Sequence, residues 1–224
     1  MANHVFLVED HPISRRGLEA ILDAELDLKV CGEAGTAAEA RDKIPEADPD
    51  LVLVDLSLAT GSGLELIKNL QNRRPELPLL VVSMHDEVLY ALRCVRAGAR
   101  GYVMKRRASE TLLDAVRQVL DGRIYLSEEM KKRVNQGLEE RSEAPVESPL
   151  DSLSDRELQI FECLGDGLKT SEIAEQIHLS PKTVSSHQSR IKNKLGIDST
   201  PKLRRWAAIW VEAGYTAEAV DATS

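Results

Sequence analysis

Short apolar runs alternate with amphipathic stretches over the first 121 residues, and this alternation limits the fold more than any other feature of the chain. The runs have the length of single strands and lie at residues 4–8, 28–31, 51–55, 79–83 and 101–104. Because they are continuously apolar, they are typical of strands buried on both faces. Strands separated by helical patterns indicate a parallel sheet covered on both sides. The expected fold class is α/β, a (βα)5 doubly wound parallel sheet.

The helical patterns between these runs include residues 12–26, 63–74 and 87–97. A further pattern at 108–120 is followed by Gly122, at the place where a helix commonly ends in a left-handed glycine. We therefore predict that the first unit covers residues 1–121.

The second half of the chain has a different composition. Residues 127–140 have the pattern of a short helix, and residues 141–152 contain two prolines and several small polar side chains, as exposed linkers do. Beyond them every pattern is helical, with predicted starts at Asp155, Thr170, Pro181 and residues 199–201. We expect a linker at 122–149, an all-α four-helix domain at 150–213 and a C-terminal tail at 214–224.

Charge is distributed unevenly along the chain. The net charge is −8, yet residues 181–205 contain seven basic side chains and one acidic side chain, a local balance of +6. A compact basic segment of this kind is the candidate part of the chain for contacts with nucleic-acid phosphates.

Several classes of protein are disfavoured by composition. No apolar run approaches the roughly 18–20 residues that cross a bilayer, and the N-terminus lacks the basic and apolar regions of a signal peptide. The three cysteines, Cys31, Cys94 and Cys163, have no metal-site spacing and indicate a reducing compartment. We expect a cytoplasmic protein without a membrane partner.

Polar side chains follow the predicted strands of the first unit. Glu9 and Asp10 end the first strand, Asp55 the third and Ser83 the fourth, while Lys105 follows the fifth. Because the carboxyl ends of parallel strands share one edge, these groups are expected to converge there. Three carboxylates favour a hard cation such as Mg²⁺, and Asp55 could then act as a nucleophile toward a phosphoryl group.

The same residues resemble the receiver domain of two-component response regulators. The matching elements are VEDHP at 8–12, LVDLSL at 53–58, Gly63, VVS at 81–83 and AGARGYVMK at 97–105. The resemblance implies a flavodoxin-like fold, with Asp55 as phosphate acceptor and with Mg²⁺ held by Asp10, Asp55 and the Ser57 backbone carbonyl. It further implies the following roles: Glu9 acts through a metal-bound water, Ser83 and Lys105 hold phosphate oxygens, and Tyr102 turns inward on activation.

The chain departs from the usual receiver pattern at several positions. Glu9 stands where many receivers have a second Asp, and Ala59 replaces a common Pro in the loop after Asp55. Ser57 and His85 flank the expected phosphoryl group, and our hypothesis is that they set its hydrolysis rate. A phosphatase of the haloacid dehalogenase type is disfavoured, because such an enzyme needs a second Asp where Ser57 stands.

The third helix of the second domain has two distinct faces. Val184, Gln188, Ile191 and Leu195 form a predicted inward stripe, and small polar and basic residues lie outside it. Small side chains in the first turns allow close approach to a major groove, while cations contact phosphates.

This half resembles the LuxR-type helix-turn-helix, and both halves together resemble the NarL/FixJ family of response regulators. The resemblance rests on LSDRELQI at 153–160, SEIA at 171–174, LSPKTVSSH at 179–187 and KLGI at 194–197. It implies that Ser185, Ser186 and Ser189 face base edges. It implies phosphate contacts from these residues: Lys182, Thr183, Arg190, Lys192 and Lys194. His187 is expected to pack beneath the helix; Trp206 is predicted to be core, whereas Trp210 could be core or dimer surface.

The predicted function is therefore that of a response regulator that controls transcription. We expect no enzymatic activity beyond the phosphoryl transfer to the protein itself and its own dephosphorylation. The resemblance implies a sensor histidine kinase as donor, duplex DNA as target, a homodimer when phosphorylated, and RNA polymerase as a further partner. Two alternatives remain open: a DNA binder that is independent of phosphorylation, and a receiver-based protein-interaction module.

Overall fold

The computed structural model describes residues 2–58, 60, 62–128, 130–132 and 149–212. The chain forms two compact units, Met1–Gln136 and Gly137–Ser224. None of the helices in the described part of the chain is long and apolar enough to cross a membrane.

The first unit is built on a five-stranded parallel sheet. Its strands are β1 (Asn3–Val8), β2 (Leu28–Ala34), β3 (Leu51–Val54), β4 (Leu79–Ser83) and β5 (Gly101–Met104). They are ordered β2-β1-β3-β4-β5, so β1 and β3 are adjacent at the centre. The order reverses direction between β1 and β3, and ligands of such sheets bind beyond the strand ends at this point. The predicted (βα)5 class is confirmed.

Five helices connect and follow these strands. They are α1 (Pro12–Asp23), α2 (Ala37–Ala47), α3 (Gly63–Arg73), α4 (Glu87–Arg96) and α5 (Ala108–Leu120). Side-chain oxygens cap three of them, from Thr36 before α2, Ser62 before α3 and Asp86 before α4. These caps satisfy backbone N–H groups that have no partner inside the helix.

The predicted bounds differ from the structure mainly at helix and strand ends. α1 ends three residues before the predicted end at 26, and β2 continues to Ala34 rather than stopping at 31. β2 lies at the sheet edge and is only partly buried, so Gly32 and Glu33 interrupt the apolar run without ending the strand.

Alternate strand residues divide between the two faces of the sheet. Val5, Leu7, Leu53 and Val82 pack in one cluster with apolar residues of α1 and α5. Because neighbouring strand residues point to opposite faces, Phe6 and the other intervening residues face α2, α3 and α4. Both faces are therefore covered, as the continuously apolar runs predict.

The chain that follows α5 returns to the exposed edge of the sheet. The Tyr125 N–H donates to the Arg100 carbonyl (2.9 Å), and the Tyr102 N–H donates to the Tyr125 carbonyl (3.1 Å). The buried Glu87 carboxylate accepts from the Ser127 N–H at 2.9 Å. Residues 128 and 130–132 are helical, in agreement with the start of the helix predicted at 127–140; its remainder, Ala59, most of the linker and the tail lie outside the described residues.

Four α-helices lie in the described residues of the second unit, 149–212: α6 (Asp155–Gly165), α7 (Thr170–Gln176), α8 (Pro181–Leu195) and α9 (Thr200–Glu212). Ser154 and Glu157 form a capping box at the predicted start of α6. α7 and α8 are joined by a short turn in which His178 is left-handed, with φ of 54°.

The prediction that Trp206 is core is wrong. Trp206 is partly exposed, whereas Trp210 is only 2% exposed and lies one and two turns beyond the buried Ala207 and Leu203. Gly165 explains the difference: a Cβ there would lie 2.4 Å from the Val211 side chain and 2.7 Å from the Ala207 carbonyl oxygen. The C-terminal part of α9 therefore lies close against α6, and Trp210 is in this part.

Candidate functional site

Three carboxylates converge at the carboxyl ends of β1 and β3. Glu9 and Asp55 are 1% and 3% exposed, and Asp10 is partly buried. The Glu9 carboxylate accepts from the His11 N–H (3.0 Å) and from the Ser14 hydroxyl (2.9 Å). One oxygen of Asp55 accepts from the Ser57 N–H at 3.2 Å. These bonds fix the orientation of both buried acids.

Lys105 bridges the two buried acids from the end of β5. Its Nζ lies 2.5 Å from Glu9 Oε2 and 2.7 Å from Asp55 Oδ2. Burial opposes the charge of this ammonium, but the Asp55 and Glu9 carboxylates outweigh that effect and hold the pKa of Lys105 above its ordinary value. Lys105 is thus a fixed positive charge beside Asp55.

This cluster fits a divalent cation. Ligand atoms of Glu9, Asp10, His11 and Asp55 all lie within 4.8 Å of one another. The Lys105 ammonium contacts the Glu9 and Asp55 carboxylates but not that of Asp10, and clustered like charges repel unless a cation compensates them. Carboxylate oxygens are the donors that Mg²⁺ prefers, so the residues present suit it.

The loop between β4 and α4 lies beside Asp55 and connects the acidic cluster to β4, β5 and α4. The Ser57 hydroxyl lies 2.9 Å from His85 Nε2, and the His85 ring stacks on Tyr90 with centroids 4.6 Å apart. The His85 N–H donates to the Ser83 hydroxyl oxygen at 3.3 Å, and its carbonyl accepts from the Tyr102 hydroxyl at 2.9 Å. Tyr102 is buried, so the ring is already directed inward in this structure.

The outer face of α8 carries the residues predicted to read DNA. Ser185, Ser186 and Ser189 are exposed, and each hydroxyl donates to the carbonyl four residues earlier in the helix, at 2.9–3.1 Å. Lys182 and Arg190 are exposed on the same helix, and Thr183 and Lys192 are partly exposed. Val184, Gln188 and Ile191 are buried beneath them, so the helix keeps a core side and a free side.

Lys194 occupies a different environment from the other cations of α8. Its Nζ lies 2.6 Å from the buried Glu157 carboxylate and 3.0 Å from the Ser152 carbonyl oxygen. Burial alone would raise the pKa of Glu157, but hydrogen bonds from Lys194 and Ser154 lower it below its usual value. The structure therefore engages the Lys194 ammonium within its own unit, which argues against its expected place among the phosphate contacts.

Two family models match the chain in the order of its two units. Residues 5–117 match the response regulator receiver domain, and residues 151–207 match the luxR family of bacterial regulatory proteins. DevR/DosR of Mycobacterium tuberculosis, a DNA-binding transcriptional activator, is 38% identical over 87% of this chain and 88% of its own length. The chain belongs to the NarL/FixJ family of response regulators.

Two further proteins resemble this response regulator along most of their length. The oxygen regulatory protein NreC of Staphylococcus aureus is 34% identical over 91% of this chain and 95% of its own. A structure of RcsB from Salmonella enterica serovar Typhimurium, bound to a promoter in the presence of the phosphomimetic BeF3−, is 25% identical with a TM-score of 0.59. It covers 92% of this chain and 98% of its own. This response regulator is therefore similar to each of these two proteins over both of its units together.

The structure brings together the acidic residues of this response regulator that sequence reasoning selected, with Lys105 in contact. It also adds one residue, His11, whose Nδ1 lies 2.6 Å from Asp10 Oδ1. The signal was present in the sequence, since His11 directly follows two acids at a strand end. The receiver resemblance carries a carboxylate pattern only, and His11 stands outside that pattern.

Proposed function

We propose that Asp55 accepts a phosphoryl group from a sensor histidine kinase, and that this modification controls dimerisation and DNA binding. The observation that carries the proposal is the buried Asp55 carboxylate, whose Oδ2 lies 2.7 Å from Lys105 Nζ. Lys105 offsets charge on the transferred group, and Ser83 offers a hydroxyl to another phosphate oxygen.

In the same proposal, Asp10, Asp55 and the Ser57 carbonyl hold Mg²⁺, and Glu9 acts through a metal-bound water. When bound, the ion supplies positive charge against the phosphoryl oxygens. The convergence of three carboxylates, of which Lys105 contacts only Glu9 and Asp55, supports this assignment.

The loop beside Asp55 would transmit the modification. A phosphoryl group adds about −1.5 to −2 charges and attracts the Ser83 hydroxyl, which now accepts from the His85 N–H. Movement of Ser83 would break that bond and displace His85, whose carbonyl holds the Tyr102 hydroxyl. The surface of α4 and β5 would change as a result, and receiver dimerisation there would place two DNA-binding domains on adjacent half-sites.

In a complex with DNA, three hydroxyls would give up their hydrogen bonds within α8 and bond to base edges instead; they belong to Ser185, Ser186 and Ser189. Phosphates would be contacted by these residues: Lys182, Thr183, Arg190 and Lys192. We place the functional boundaries at 1–121, 122–149, 150–213 and 214–224, and the protein in the cytoplasm, because its proposed target is chromosomal DNA. The relative RcsB, solved on a promoter with a phosphomimetic, supports this arrangement.

The test uses acetyl phosphate and Mg²⁺ with the native chain and Asp55→Asn. Attack by an Asp55 oxygen on phosphorus forms the aspartyl phosphate and releases acetate, so the native chain gains the mass of one phosphoryl group. We expect the native chain also to gain DNA affinity and to dimerise, while Asp55→Asn does neither. If DNA affinity is equally high in Asp55→Asn and does not respond to acetyl phosphate, the result would support a phosphorylation-independent DNA binder. If DNA affinity does not change with salt concentration, the result would support a protein-interaction module.

The contact between Ser57 and His85 bears on our hypothesis that these two residues set the hydrolysis rate of the phosphoryl group. Both side chains border the position of the phosphoryl group and lie 2.9 Å apart. We expect Ser57→Ala and His85→Ala each to change the rate at which phosphate is lost from Asp55, measured by intact mass after donor removal. Equal rates in both variants and the native chain would contradict the hypothesis.

A further inference from the structure

The segment that follows α5 is held against the first unit by hydrogen bonds at two places. Residues 123–127, here called the strap, run beside β5, where the Tyr125 N–H donates to the Arg100 carbonyl and the Tyr125 carbonyl accepts from the Tyr102 N–H. Gly101 permits this approach, because a Cβ there would lie 2.9 Å from the Tyr125 carbonyl oxygen. The strap therefore covers the outer edge of β5, the last strand of the sheet.

The far end of the strap is held by a buried acid of α4. Glu87 is the first residue of this helix and is only 6% exposed, and its Oε1 accepts from the Ser127 N–H at 2.9 Å. A buried carboxylate needs such donors, because water does not solvate it. An exposed acid would stabilise the start of α4 equally well, since any negative charge there interacts favourably with the helix dipole. The burial of Glu87 therefore points to a role in holding the strap.

Both anchors of the strap adjoin residues of the proposed switch. Tyr102 binds the strap through its backbone N–H and the His85 carbonyl through its hydroxyl. Glu87 lies two residues after His85, whose N–H donates to the Ser83 hydroxyl oxygen. Movement of Ser83 toward a phosphoryl group would displace His85, and this displacement reaches the strap through β5 and through α4 at the same time.

We propose that phosphorylation of Asp55 releases the strap from α4 and β5. The inference rests on the proposed function, because the movement of Ser83 and His85 is the cause of the release. The released residues 123–127 join the linker, and each adds at most about 3.3–3.6 Å to its reach. The tether of the DNA-binding domain is thus shorter in the unphosphorylated chain, which restricts the ability of two tethered domains to reach adjacent half-sites.

A strap with a purely structural role predicts a different result. In that case the strap stays in place in both states, and loss of the bond between Glu87 and Ser127 only lowers the stability of the first unit. A strap that is released on activation is coupled to the phosphorylation site, and coupling between two sites is reciprocal. Weakening the strap then strengthens the binding of a phosphoryl mimic at Asp55. The sign of this effect separates a switch from a structural element.

The first experiment follows backbone amide exchange by NMR in the full native chain with Mg²⁺, with and without the phosphoryl mimic beryllofluoride. We expect the mimic to speed exchange of the Tyr125 and Ser127 amides at least about tenfold, within the usual range of coupling between sites. The amide of Leu53, in a strand paired on both sides, should not exchange faster. Unchanged protection of Tyr125 and Ser127 with the mimic bound would overturn the proposal.

The second experiment measures the affinity of the native chain, Glu87→Gln and the control Glu65→Gln for beryllofluoride by ¹⁹F NMR at a fixed Mg²⁺ concentration. Gln keeps the shape of the side chain but offers the Ser127 N–H a weaker, neutral acceptor. Glu65 is exposed in the first turn of α3, so its replacement removes the same charge from a different helix start. We expect Glu87→Gln to bind the mimic about fivefold or more tightly than the native chain, and Glu65→Gln to match the native chain.

The outcomes of the two experiments are distinct. An unchanged or weaker affinity in Glu87→Gln would contradict release of the strap. If that variant does not fold, exchange of the native Tyr125 and Ser127 amides decides the question alone. Failure of the native chain to bind beryllofluoride and to be phosphorylated at Asp55 would instead overturn the proposed function.

Discussion

Replacement of Lys194 by Met tests whether this cation belongs to the domain interior or to the DNA interface. In the structure its ammonium contacts the Glu157 carboxylate at 2.6 Å and the Ser152 carbonyl oxygen at 3.0 Å. Met keeps most of the aliphatic side chain and removes the charge. The substitution therefore leaves Glu157, which is buried at the start of α6, without its cationic partner.

The cost follows from the burial of the two partners. Hydrogen bonds to charged groups contribute about 1.5–3 kcal/mol. The Lys194 side chain is 39% exposed, so solvent screens part of this interaction. The capping box remains and still satisfies Glu157 in part. We expect the free energy of unfolding of the second unit to fall by about 1–2 kcal/mol.

Urea denaturation followed by tryptophan fluorescence measures this loss. The chain has two tryptophans, Trp206 and Trp210, and both lie in α9, so the signal reports on the second unit within the full chain. With a denaturant slope of about 1 kcal/mol per molar for so small a unit, the midpoint should fall by about 1–2 M urea. In the double variant with Glu157→Gln, the loss should be smaller than the sum of the two single losses.

The matched control is Lys182→Met. Lys182 is exposed on the same helix and is a proposed phosphate contact. Its replacement should leave the urea midpoint unchanged and reduce the slope of log affinity for duplex DNA against log salt by about 0.9. The reasoning is refuted if Lys194→Met shows that pattern instead, with an unchanged midpoint and a reduced salt slope.

Three further outcomes follow from burial, charge and close contacts. Trp210→Ala should lower the free energy of unfolding by about 3–5 kcal/mol and Trp206→Ala by less than about 2, measured by circular dichroism. Burial and neighbouring arginines lower the pKa of His187, so the folded state favours the neutral ring. Stability of the second unit should therefore fall as pH drops below about 6.5, and His187→Gln should flatten this dependence in urea titrations at several pH values. A Cβ at Gly63 would lie 2.2 Å from the Asp55 carbonyl oxygen, so Gly63→Ala should cost at least about 2 kcal/mol in calorimetry, whereas the open site at Gly17 should tolerate Ala.

The sheet and its acidic edge were predictable because their signals are local. Apolar runs of strand length mark β1, β3, β4 and β5, and the polar residue after each run marks the carboxyl edge of the sheet. The edge strand β2 was predicted too short, because Gly32 and Glu33 interrupt its apolar run while the strand continues to Ala34.

The contacts among the site residues were not predictable in the same way. Nothing in the sequence near Ser57 and His85 shows that the two side chains lie 2.9 Å apart, since 28 residues separate them. The same holds for Glu87 and Ser127, which join α4 to the segment after α5.

The sequence by itself determined the class of both units, the family and the identity of the residues around Asp55, because periodicity and strand-end chemistry are encoded over short stretches. The tertiary structure decided which cation of α8 is engaged with Glu157, which tryptophan is buried and which way His11 faces. Each of these depends on how closely distant segments approach, as at Gly165, where the absence of a side chain brings α9 against α6. Such distances arise from packing over the whole unit and are not encoded at any one position.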